Sequence, residues 1–189
     1  MNDNSSKTAL ITGANSGIGF EAAARFTQEG FGKIILACRS IEKSEAAKAA
    51  LIERTGIDVF EGLAVDVAEL ASVSAAVEEL AARQSSVDVL ALNAGAAGSP
   101  KVVRNSDGID ITFASTLIGH HRMTIQMLER GLLSDHARII IACSEAARGD
   151  VPQMKVFDLS ETAREHFDGD LEAAMEALAR ANSPHKYNP

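Results

Sequence analysis

Cysteine is scarce in this chain of 189 residues, with only Cys38 and Cys143 present. Each ends a short apolar run read below as a strand. Two other strands are expected between them, which exceeds the limit of about 7 Å on Cα separation for a disulfide. The thiols are therefore expected to be reduced, as in a cytosolic setting. Positive charge is also short: 18 Lys and Arg stand against 26 Asp and Glu, a formal net charge of −8. That balance opposes unassisted binding to nucleic acid or anionic lipid. No apolar run approaches the roughly 20 residues that span a bilayer, and the polar start Met1–Ser6 contains no secretory apolar core. A soluble, cytoplasmic protein is expected, with neither membrane nor nucleic acid as partner. The five histidines are scattered. Although His120 and His121 are adjacent, their side chains on a helix diverge by about 100°, so no metal site is expected. Internal repeats and low-complexity tracts are absent as well.

What is present is an alternation of short apolar runs with longer amphipathic ones. Thr8–Thr12, Lys33–Ala37, Val59–Val65, Val87–Asn93 and Arg138–Ala142 read as strands, short and apolar without strict alternation. Helical spacing of apolar residues marks helices over about Gly17–Glu29, Ile41–Arg54, Glu69–Ala82 and Asp107–Arg130. The pattern predicts a doubly wound α/β fold with a parallel sheet in order 3-2-1-4-5 and a switch point between the first and fourth strands. The length suits one domain spanning residues 1–189. Residues 149–189 read as an irregular and helical excursion of that domain, with helices over Ser160–Phe167 and Asp170–Asn182 and an N-cap at Asp170.

Four strand ends carry candidate chemistry. The first, Thr12-Gly13-Ala14-Asn15-Ser16-Gly17-Ile18-Gly19, follows an apolar strand and opens a helix. Such a turn aims unpaired N–H groups and the positive helix end at one point, which suits a pyrophosphate. Gly13 allows the tight turn, Gly17 the close approach of the ligand, and Gly19 the packing of helix on strand. An ordinary strand-to-helix turn is the competing reading.

At the second strand end, Arg39 and Ser40 stand where an acidic residue would hold an adenosine ribose. A guanidinium meets a 2′-phosphate with a charge-assisted fork, favouring NADP over NAD, unless Arg39 is simply solvated. Asp66-Val67 follows the third strand, where the carboxylate either accepts from an adenine amino group, caps the helix near Glu69, or does both. Asn93-Ala94-Gly95 follows the fourth, where small residues let backbone lie against a ribose and the Asn side chain can brace neighbouring strands; a plain loop is the alternative. All four fall at carboxyl ends of strands, so one dinucleotide could touch them all.

On these segments the chain resembles the short-chain dehydrogenase/reductase family, a Rossmann-type fold, over about residues 7–148. It is most similar to the branch containing retinol dehydrogenases and protochlorophyllide reductases. Ala37-Cys38-Arg39-Ser40, Asp107–Phe113 and Arg138–Ser144 carry the likeness further. The resemblance implies an NADP-dependent oxidoreductase acting on a small-molecule carbonyl or alcohol, and a dimer or tetramer built through the helices flanking the fifth strand. It implies that Ser144 is the catalytic serine, against the alternative of a turn or capping Ser. Thr116 falls where the family's catalytic Asn is expected, with Ser115 the nearest other polar group. A Thr hydroxyl lacks the amide's reach and paired donors.

The family's Tyr-x-x-x-Lys pair has no counterpart. Tyr187 is the only tyrosine, and His185–Pro189 resembles the loop before the catalytic helix, so Tyr187 reads as a loop residue. The expected later strands and the catalytic tyrosine would then lie beyond Pro189. A catalytically incompetent NADP-binding sensor or interaction protein, or one half of a split enzyme, are the alternative functions.

Overall fold

The computed structural model describes residues 3–95, 103–143, 159–166 and 168–170. Five strands form one sheet: β1 Thr8–Thr12, β2 Lys33–Cys38, β3 Phe60–Ala64, β4 Val87–Leu92 and β5 Leu133–Ile141. Their order is β3-β2-β1-β4-β5, and every pairing is parallel. The order is the one expected from the sequence. The helices are α1 Gly17–Gln28, α2 Ile41–Thr55, α3 Leu70–Ala82, α4 Ile111–Phe113, α5 Gly119–Glu129 and α6 Leu159–His166, with a π-helical turn at Ala114–Ile118.

The described residues fall into two units, 3–95 with 114–142, and 103–113 with 143, 159–166 and 168–170. In the first, the strand period of two divides the core. Along β1, Leu10 enters a cluster with Val73, Val77 and Leu80 of α3 and Met123 and Met127 of α5. Ala9 and Ile11 enter the opposite cluster, with Ala23 and Ala24 of α1 and Ala47 and Leu51 of α2. Both faces of β1 are thus buried, which explains its unbroken apolar run. Each large apolar side chain so buried contributes about 1.5–3 kcal/mol.

Two boundaries differ from expectation by more than one residue. The helix expected over Asp107–Arg130 starts at Ile111, because Asn105 and Asp110 prefer to bond nearby backbone. Asn105 Oδ1 accepts from the N–H groups of Asp107 (3.0 Å) and Ile109 (2.8 Å). Asp110 Oδ1 accepts from Thr112 (3.0 Å) and Phe113 (3.1 Å), starting the helix. Strand β5 begins five residues before the expected Arg138. Leu133 pairs with Val87 and Arg138 with Val89, so an irregularity absorbs the extra residues.

In the second unit, Arg104 and Asp110 form an antiparallel bridge, and α6 lies over Leu159–His166. Most of the helix expected over Asp170–Asn182 lies outside the described residues. Both cysteines are free, Cys38 buried and Cys143 exposed. No helix among the described residues is long and apolar enough to cross a membrane.

Candidate functional site

The glycine-rich turn leaves β1 at Thr12. Gly13 takes a left-handed φ of 68°, and its N–H donates to the Ala37 carbonyl of β2 (2.8 Å). Gly17, at φ 54°, starts α1 from a fully extended Ser16 whose hydroxyl makes no capping bond. The first turn of a helix leaves N–H groups without intrahelical acceptors, and this one contains no acidic residue. Asn15, Ser16, Gly17 and Ile18 are exposed, whereas Gly19 is buried. A Cβ at Gly19 would stand 2.4 Å from the Gly13 carbonyl oxygen and 2.6 Å from Asn93 Nδ2. Helix, turn and the end of β4 therefore meet at distances only glycine permits. The turn suits a pyrophosphate, combining the N–H donors of the first helical turn, a positive helix end and no side chain at Gly13, Gly17 or Gly19.

Beside the turn, the buried thiol of Cys38 faces the N–H groups of Ala14 and Asn15. Burial pushes that thiol above its ordinary range, and the two N–H groups offset part of the rise. Arg39 follows, 67% exposed, with Nε 3.5 Å from Asp66 Oδ2. Asp66 Oδ1 accepts from the Ala68 N–H (3.0 Å), and the Asp66 N–H donates to Ser72 Oγ (2.9 Å). The Asp66 carboxylate thus braces the turn after β3 and anchors Arg39. Of the two roles offered by the sequence, the capping contact is made to Ala68, ahead of α3, whose N-cap is Glu69. Ser40 is the extended N-cap residue of α2. Its hydroxyl bonds the Glu42 carboxylate, which holds that carboxyl below its usual range.

The Thr12 hydroxyl ties β1 to the end of β4. Its Oγ1 accepts from the backbone N–H groups of Asn93 and Ala94, both at 2.9 Å. Asn93 Nδ2 donates to the Thr12 carbonyl (3.0 Å), so the Asn side chain braces neighbouring strands as expected. His120 Nε2 lies 3.0 Å from Thr12 Oγ1. That ring is buried, and burial pushes its pKa below 6.5, partly opposed by a hydrogen bond to the Thr116 carbonyl.

Thr116 itself is exposed on the π-helical turn. Its Cγ2 lies 3.3 Å from where a Cβ on Gly95 would stand, so the residue at the family's Asn position borders the Asn93-Ala94-Gly95 end. Gly119 closes the group from behind, since a Cβ there would fall 1.7 Å from the Val67 carbonyl oxygen.

Thr12, Gly13, Gly19, Asn93, Ala94, Gly95 and Thr116 are therefore brought together, and Arg39 and Asp66 meet at the neighbouring strand ends. Ser144 and Tyr187 lie outside the described residues. Sequence reasoning missed Gly119 and His120. A glycine inside a helical pattern signals close backbone approach, but His120 was weighed only as a metal ligand and carries no local signal of its partner 108 residues away.

A model of the short chain dehydrogenase family matches residues 7–177. The WW domain-containing oxidoreductase of Gallus gallus is 35% identical over 147 residues, covering 77% of this chain and 35% of that protein. Among solved structures, L-sorbose reductase from Gluconobacter frateurii, complexed with NADPH and L-sorbose, is similar with a TM-score of 0.61 and 26% identity. The likeness covers 77% of this chain and 55% of that one. The 3-ketoacyl-(acyl-carrier-protein) reductase from Brucella melitensis, complexed with NADH, has a TM-score of 0.52 and 29% identity over 66% of this chain and 49% of that one. The chain thus spans about a third of the curated relative and about half of each solved structure.

Proposed function

The chain belongs to the short-chain dehydrogenase/reductase family, and from that premise we propose that it is an NADP-dependent oxidoreductase of a small-molecule carbonyl or alcohol. The observation that carries the reading is the convergence of Gly13, Gly19 and Asn93 into a cradle closed to any Cβ at Gly19. Ser16, Gly17 and Ile18 hold the pyrophosphate through backbone N–H groups at the start of α1, with Asn15 lining the turn beside them. Asn93, Ala94 and Gly95 support the nicotinamide ribose, while Asp66 and Val67 border the adenine.

Arg39 selects the cofactor. Its guanidinium, held at Nε by Asp66, stays largely exposed at the end of β2, where it meets a 2′-phosphate with a charge-assisted fork. Ser40 flanks it. The bound nicotinamide supplies or accepts the hydride, and the residues of this chain orient the other reactant. The Ser144 hydroxyl donates to the substrate carbonyl oxygen, and Thr116 supplies a hydroxyl at the Asn position. Tyr187, the lone phenol in these 189 residues, reads as a loop residue and is not assigned as the proton donor. A cytoplasmic dimer or tetramer completes the proposal.

Titration of NADPH and NADH by fluorescence tests it. Tighter NADPH binding is expected, and Arg39→Ala should erase the preference, a change of about tenfold or more; equal affinity in the unsubstituted protein removes Arg39 from the role. Ser144→Ala should abolish turnover with NADPH affinity nearly intact, and unchanged turnover takes Ser144 out of the mechanism. Thr116 at the Asn position favours a second reading, a catalytically incompetent NADP-binding protein. Tight NADPH binding without turnover over a panel of carbonyl compounds would select it.

A further inference from the structure

We propose that His120 is a positioning residue for the dinucleotide site: its neutral ring takes the Thr12 hydroxyl hydrogen and so fixes the Asn93–Gly95 turn in the shape that receives the cofactor. The inference rests on the dinucleotide reading of that turn and adds to it a residue from the far side of the sheet.

A threonine hydroxyl has one hydrogen and two lone pairs. At Thr12 both lone pairs are engaged, by the N–H groups of Asn93 and Ala94 at 2.9 Å each. The hydrogen then has two acceptors in reach, His120 Nε2 at 3.0 Å and the Ala91 carbonyl at 3.4 Å. The second distance is beyond the ordinary range for an O–H donor, so the histidine takes the hydrogen. Nε2 must therefore be an acceptor, the ring neutral, and its proton on Nδ1. The ring's hydrogen bond to the Thr116 carbonyl, one helical turn earlier, uses that proton.

One imidazole thus connects Thr116, Thr12 and the two amides of the β4 end. Without an acceptor at position 120 the Thr12 hydroxyl turns toward Ala91, its lone pairs leave the Asn93 and Ala94 N–H groups, and the turn loses its fixed shape. A ring protonated at Nε2 does the same, by presenting a third donor to an oxygen whose lone pairs are already engaged.

The test uses the full-length natural protein with two substitutions. His120→Leu keeps bulk and removes the acceptor; His120→Gln restores an acceptor oxygen. NADPH affinity is expected to fall about tenfold or more in His120→Leu and to recover most of that loss in His120→Gln. In the Thr12→Val background, His120→Leu should cost nothing further, because the route through the hydroxyl is already cut. Nitrogen-15 NMR of the unsubstituted protein should find Nε2 unprotonated, and the Asn93 and Ala94 amides should exchange faster with solvent in His120→Leu. A protonated Nε2, or NADPH affinity unchanged in both variants, overturns the proposal. If the unsubstituted protein binds neither NADPH nor NADH, the cofactor reading fails, while the tautomer and the two amides still decide whether His120 holds the turn.

Discussion

Gly19 is the position where one added carbon does most damage. Its Cβ would meet the Gly13 carbonyl at 2.4 Å, and that carbonyl is backbone that cannot rotate away. Gly19→Ala should therefore cost about 1–3 kcal/mol, the usual penalty for overpacking, and should abolish dinucleotide binding. Urea denaturation and cofactor titration check the two effects, and an alanine variant that binds normally refutes the close packing. His120 sets a different limit, through pH. Burial lowers its folded pKa below the ordinary 6.5, so the unfolded chain takes up the proton first. The contribution is complete above about pH 6.5 and is lost as pH falls through the lowered folded value. Stability measured from pH 7 down to 5 should fall more steeply in the natural protein than in His120→Leu, and parallel curves would contradict it.

Among the elements, α5 bears most on the site while being half hidden from sequence reasoning. Met123 and Met127 are fully buried on the sheet side. Met123→Ala should cost about 2–5 kcal/mol, read as a lowered urea midpoint; a loss under 1 kcal/mol would place that side chain outside the core. Strands β1 to β4 and α1 to α3 were legible because apolar spacing and burial agree there to within a residue or two at each end. The start of α4 was not, since Asn105 and Asp110 compete for backbone N–H groups by a local chemistry that periodicity does not register. The early start of β5 was missed for a related reason: Ser134, Asp135 and His136 are polar and fall in the irregularity between the Leu133–Val87 and Arg138–Val89 pairs, which periodicity does not register. The glycines and Asn93 of the site were readable from their place at strand ends. The Thr12–His120 contact was not, because it joins residues 108 apart.

Across the whole sheet, the outer strand β5 leaves Ile139, Ile140 and Ile141 exposed at 40%, 49% and 62%. An apolar parallel strand whose outer edge has no partner among the described residues is a template for association, and the formal charge of −8 opposes it by mutual repulsion. Residues 1–189 expressed as such should therefore self-associate, more strongly as salt screens the repulsion. Ile141→Lys should suppress this, as judged by light scattering. A monodisperse monomer at high salt would show that the edge is innocuous.

Gly119 gives this assembly a fulcrum. With the helix backbone resting on the Val67 carbonyl, there is no compressible side chain between them to absorb displacement. Thr116 lies three residues before that point, on the π-helical turn, and His120 one residue after it. Any wedge inserted at Gly119 lifts the helix as a beam and swings Thr116 and His120 together, so two parts of the site that differ in chemistry share a single mechanical failure.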